Sequence, residues 1–116
     1  MNHQVYPNRP AENEDIRSLG IVTTVVRFNI QHTDQGWECD EVEYSHREDL
    51  QESDYGSLVS TIVRGRYSED DVEAVINNYL AAPEEGTHTA DFQQLQQWRT
   101  EAKIRAREII SANTEM

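Results

Sequence analysis

Between Leu19 and Tyr44 the chain carries a long run of β-branched and aromatic residues, broken once by turn chemistry, and this run restricts the fold more than any other feature. Val22, Val26, Phe28 and Ile30 share one parity, with Thr24 between them. Arg27, Asn29 and Gln31 occupy the other, so Leu19 to Gln31 reads as a strand whose second half has one wet face. His32-Thr33-Asp34-Gln35-Gly36 is a turn, with Gly36 suited to a positive φ. Trp37 to Tyr44 returns as a second strand. Its alternation slips, with Trp37 and Cys39 on one parity and Val42 and Tyr44 on the other; a bulge near Asp40 reconciles them, because one extra residue flips the faces beyond it. A hairpin of two strands is marginal alone and exposes two edges. The rest of a 116-residue chain, one domain's worth, has to cover it.

Three helices are the cover. After a charged linker from Ser45 to Glu52, Ser53 or Asp54 caps a helix whose apolar positions are Tyr55, Leu58, Val59, Ile62 and Val63, and Gly65 is placed to end it as a left-handed residue. Ser68 opens a second helix with Glu69, Asp70 and Asp71 in its first turn, where carboxylates meet the positive end of the helix dipole. Its stripe is Val72, Val75, Ile76, Tyr79 and Leu80, and Pro83 stops it. Thr87 or Thr89 caps a third helix to about Ala112, with Phe92, Leu95, Trp98, Ala102, Ala106 and Ile109 inward. Val59, Ile62, Val75, Ile76 and Trp98 are expected in the core. Residues 1–18 show no period and hold Pro7 and Pro10, so they read as an N-terminal arm before a domain over 19–112, with a tail at 113–116. The fold class is α+β: an antiparallel β-hairpin, with a third strand supplied by the arm or a partner, followed by three helices packed on one face.

Charge narrows the function. The 22 acids and 10 bases leave a net charge of −12, with nine acids and only Arg47 between Asp34 and Asp54. A basic-patch nucleic-acid binder or a ligand of anionic membranes needs the opposite field. No basic and apolar leader opens the chain and no apolar run approaches a membrane span, so neither a signal peptide nor a transmembrane segment is expected. The acids Asp40, Glu41, Glu43, Glu48 and Asp49 lack the alternation and glycine of a calcium loop, and read as a solvated strand face and linker. His3, His32, His46 and His88 are scattered without zinc spacing and read as exposed loop residues, so no metal is expected. Cys39, between Glu38 and Asp40, reads as a structural thiol rather than a nucleophile. With no phosphate loop or nucleophile elbow, no catalytic residue, cofactor or small-molecule substrate is expected.

Contact chemistry remains. Tyr67 lies between Arg66 and Ser68 in a helix connection, and Arg64, Arg66 and Tyr67 are of the types enriched at interface hot spots. Arg99, Lys103 and Arg107 are spaced by four, which puts them on one face of the last helix; they either meet an acidic partner or cover the apolar stripe with their stems. Trp37-Glu38-Cys39-Asp40-Glu41-Val42, Asp54-Tyr55-Gly56-Ser57-Leu58-Val59, Arg66-Tyr67-Ser68 and Trp98-Arg99-x-x-Ala102-Lys103-x-x-Ala106 resemble stretches of small uncharacterised proteins of bacteriophages and prophages of gut bacteria. The resemblance covers roughly residues 20–110 and implies a structural or assembly role, as a virion component or a tail-region accessory protein, in the host cytoplasm or the virion. The expectation is a non-enzymatic interaction protein, bound to a protein partner or to copies of itself. The alternative is a small acidic intracellular regulatory or inhibitor protein that mimics nucleic acid, against which Arg64 and Arg66 break the acids into two clusters.

Overall fold

The computed structural model describes residues 1–114. Four antiparallel strands form one sheet: β1 (Asn2–Tyr6), β2 (Asn13–Ser18), β3 (Ile21–Thr33) and β4 (Gly36–His46), in spatial order β1-β4-β3-β2. A 3-10 turn over Glu52–Asp54 leads into α1 (Tyr55–Arg64), followed by α2 (Glu69–Ala81) and α3 (Gly86–Thr114). The chain is α+β, built on the β3–β4 hairpin. Gly36 closes that hairpin at φ +129, and a Cβ there would lie 2.8 Å from the Tyr6 carbonyl oxygen, so the turn and the adjoining β1 both require glycine.

The segment read as an arm, with one further strand allowed for, supplies two: the outer strands of the sheet. β1 pairs with β4 and β2 with β3, so the chain itself closes both edges of the hairpin. The polarity that concealed them is that of an edge: every β2 residue is exposed, and so are four of the five in β1. Pro7 and Pro10 fall in the connection between the strands, where no ladder N–H is required. At the other end α3 continues past residue 113 to Thr114, and residues 115–116 of the expected tail lie outside the described residues.

The bulge sits on the opposite strand from the one expected. Register passes from Phe28↔Asp40 to Gln31↔Glu38, so Asn29 and Ile30 of β3 together face Cys39. Asn29 takes φ 55, a conformation that asparagine tolerates far better than a β-branched residue. β3 therefore changes face while β4 keeps alternating, which leaves Trp37, Cys39 and Glu41 on the side away from the helices.

The helix side holds the main core. Leu58 and Ile62 of α1, with Trp98, Ala102, Ala106, Ile109 and Ile110 of α3, close on Val26, Phe28 and Val42. The Phe28 and Trp98 rings meet edge to face at 4.9 Å. α2 starts as its sequence says: the Asp71 N–H donates to Ser68 Oγ, and the Ser68 N–H donates to the Asp71 carboxylate. Its apolar stripe, however, is never fully buried. Val75 and Ile76 are half-buried, as is Val59, and Leu80 is 69% exposed, because α2 rests mainly on α3 rather than on the sheet.

The other side of the sheet carries a polar core. Since β1 and β2 lie at opposite edges, residues 7–12 cross the sheet on the face away from the helices. Arg27, expected on a wet face, is buried beneath them at 3% exposure. Its Nε donates to Glu41 Oε2 at 2.7 Å, its Nη1 to the Ala11 carbonyl at 3.0 Å, and its Nη2 pairs with Glu14. The Tyr6 hydroxyl donates to the same Glu41 oxygen at 2.5 Å. Burial pulls the pKa of the Arg27 guanidinium down, but hydrogen bonds to Glu41, Glu14 and Tyr6 outweigh it and the net shift is upward. Burial, with the Glu41 charge behind it, likewise pushes the Cys39 thiol up. Of the acids read as solvated, Glu41 is thus buried and Asp40 half-buried, and of the four His residues read as loop residues, His3, His32 and His46 stand on strands and His88 in α3.

Candidate protein-binding cleft

α1 and α2 both lean on α3, and the short connection from Gly65 to Ser68 lets them diverge. A cleft of about 380 Å³ opens between the three helices. Half-buried Val59, Val63 and Val72 form its apolar floor, and half-buried Tyr67 lines it beside them. Arg64 from the last turn of α1, with Arg99 and Lys103 from α3, stand around the rim, and Glu69 also lines it. Four of the six residues singled out from sequence, Arg64, Tyr67, Arg99 and Lys103, therefore meet at one place. Among the described residues Arg64, Arg99 and Lys103 make no ion pair, although the molecule carries an excess of twelve negative charges.

The other two residues have intramolecular employment. Arg66 lays its guanidinium 4.0 Å from the centroid of the Trp98 ring, whose Nε1–H donates to the Val63 carbonyl at 3.3 Å. Arg107 holds Glu52 through bonds of 2.7 and 2.6 Å and stacks 4.3 Å from the Tyr55 ring, so it clamps α3 to the turn before α1. Hydrogen bonding to Glu52 pushes Arg107 up, and hydrogen bonding to Arg107 pulls Glu52 down. The spacing of four that united the row says nothing about which of its members finds a carboxylate on another element.

Sequence reasoning missed two cations that organise the fold. Arg105 donates to the Arg27 and Glu12 carbonyls at 3.0 and 3.1 Å and lies 4.5 Å over the Phe28 ring, tying α3 to the sheet. Arg27 is the other. Its signal was a lone base in a β-branched strand with an acid directly across the ladder, at Glu41, which becomes visible only once register is known.

Among the described residues no group of His, Cys, Asp or Glu side chains is placed to hold a metal ion, and no helix is long and apolar enough to cross a membrane. What the cleft can do is receive apolar side chains on its floor while the rim cations meet carboxylates. Exposed pairs of that kind contribute about 0–1 kcal/mol each, so in any such contact the floor would supply affinity and the rim orientation. Compared with protein-family models, with curated proteins and with solved structures, the chain matches none.

Proposed function

We propose that this chain is a non-enzymatic interaction protein of a phage or prophage, a virion component or a tail-region assembly factor, and that it holds its protein partner in the cleft between α1, α2 and α3. The observation that carries the binding site is the convergence of Arg64, Arg99 and Lys103, free of ion pairs among the described residues, on an apolar floor in a strongly acidic molecule. The matching partner segment presents carboxylates beside one or two apolar side chains. Attribution to a phage rests on the sequence resemblance over residues 20–110.

The test is gradient purification of particles from induced cells carrying the parent or the Arg64→Gln/Arg99→Gln/Lys103→Gln variant. The parent is expected to travel with particles or with assembly intermediates, and the variant to remain at the top of the gradient with an unchanged circular dichroism spectrum. A parent found only in the soluble fraction overturns the assembly role. A variant that sediments with particles as the parent does removes the cleft from the interface.

A further inference from the structure

Among the described residues β2 is an outer strand whose far edge is unpaired, and three of their six exposed large apolar residues gather on its hairpin with β3: Ile16 at 52%, Ile21 at 46% and Leu19 at 100%. Leu19 and Gly20 form the two-residue turn at φ 52 and 81. Such turns favour asparagine, aspartate or glycine at their first position. A leucine there combines an uncommon backbone conformation with a fully wetted apolar side chain, two local costs at one residue.

The direction of the free backbone groups follows from the ladder. Ser18↔Ile21 closes the two-residue turn, and the Arg27 N–H donates to the Glu12 carbonyl at 2.8 Å. The even-numbered residues from Glu12 to Ser18 thus turn their N–H and C=O groups toward β3, and Asn13, Asp15 and Arg17 turn theirs outward.

We infer that β2 pairs antiparallel with β2 of a second copy, centred on Ile16, to make one continuous sheet of eight strands. A two-fold axis normal to the sheet places residues of the same parity opposite each other, which leaves few registers. Centring on Ile16 sets Asp15 against Arg17 of the second copy, and the reverse, as two symmetric opposite-charge pairs on one face. Ile16 meets its own copy on the other face. Centring on Asp15 or on Arg17 instead opposes like charges across the axis, which destabilises a cross-strand pair. In the favoured register Asp15 and Arg17 are the residues whose outward N–H and C=O groups form the new ladder, and Ile16 occupies the close, non-hydrogen-bonded position. Leu19 falls opposite Asn13 of the second copy and is no longer left wholly in water. The present partner of Arg17 does not stand in the way: the pair with Asp49 spans 3.2 Å, with the two side chains 63% and 76% exposed.

Sedimentation of the full chain over a wide range of concentration is expected to show a monomer–dimer equilibrium. Arg17→Asp should weaken it about tenfold or more, and Asp15→Arg/Arg17→Asp should restore it, because the exchange preserves the pairs. Mild oxidation of Ile16→Cys should give a disulfide-linked dimer, since only the residue on the axis meets itself at disulfide distance. Glu14→Cys and Ser18→Cys should not crosslink, nor should the parent, whose Cys39 is 1% exposed. Circular dichroism of each variant reports that it is folded. A parent monomeric at every concentration, a dimer indifferent to Arg17→Asp, or equal crosslinking at positions 14, 16 and 18 would each overturn the proposal.

Discussion

Replacing Arg27 by methionine removes the cation of the polar core and leaves its apolar stem volume in place. Glu41, 7% exposed, then keeps only the Tyr6 hydroxyl at 2.5 Å and the Cys39 thiol at 3.9 Å, with no positive charge against it. The Ala11 carbonyl loses its donor as well. Breaking a buried pair by removing one partner costs about 3–5 kcal/mol, because the remaining charge stays desolvated. For a domain of this size that is a fall in Tm of roughly 12–20 °C. The assay is urea unfolding of parent and variant. Arg27→Met/Glu41→Leu should recover most of the loss, because an apolar pair of similar volume avoids the desolvation cost on both sides. A cost below about 1 kcal/mol for Arg27→Met would refute the reasoning and return Arg27 to solvent.

Trp98→Ala empties a site that is 3% exposed and breaks the Phe28 contact and the bond to Val63; denaturation should report a loss of about 3–5 kcal/mol. Gly65→Ala places a Cβ 2.5 Å from Val42 Cγ1 and 3.1 Å from Met1 Cγ, and should cost about 1–3 kcal/mol in the same assay. His3 is held above its ordinary pKa by hydrogen bonds to Glu38 and then Asp40, so its contribution is complete below the unfolded value and is lost as pH rises through the folded one. A Tm profile should therefore decline from about pH 6.5 upward in the parent and flatten there in His3→Gln. Arg107→Gln should leave particle association unchanged and lower Tm slightly, since its partner Glu52 lies on the same chain.

Part of the chemistry that turns and caps demand was legible residue by residue, although Gly65 ends α1 at φ −60 rather than in a left-handed conformation, and α3 begins at Gly86, ahead of Thr87 and Thr89. Gly36 at a positive φ, Ser68 with Asp71 as a capping box, and the α1 stripe through Leu58 and Ile62 all follow from local rules that need no knowledge of neighbours. Spacing named Arg99 and Lys103 on one helix face, and residue type at a helix connection named Arg64 and Tyr67. Period alone also made α2 look as deeply buried as α1. A helix's apolar stripe says that something covers it, whereas the amount covered depends on what remains available, and the sheet was already occupied.

Only the tertiary structure decided the roles of residues 1–18, Arg27 and Arg107. Edge strands expose both faces and carry no hydrophobic alternation, so β1 and β2 are specified by ladder bonds to β4 and β3 rather than by their own side chains. Once β1 and β2 take opposite edges, the segment between them has to cross the sheet, and that crossing converts a wet arginine into a buried one. Arg107 reads the same as Arg99 along the helix, yet one meets Glu52 and the other rims a cleft. Local sequence determines which surfaces a chain can make. Charges find their partners across elements distant in sequence, and only the assembled fold sets those distances.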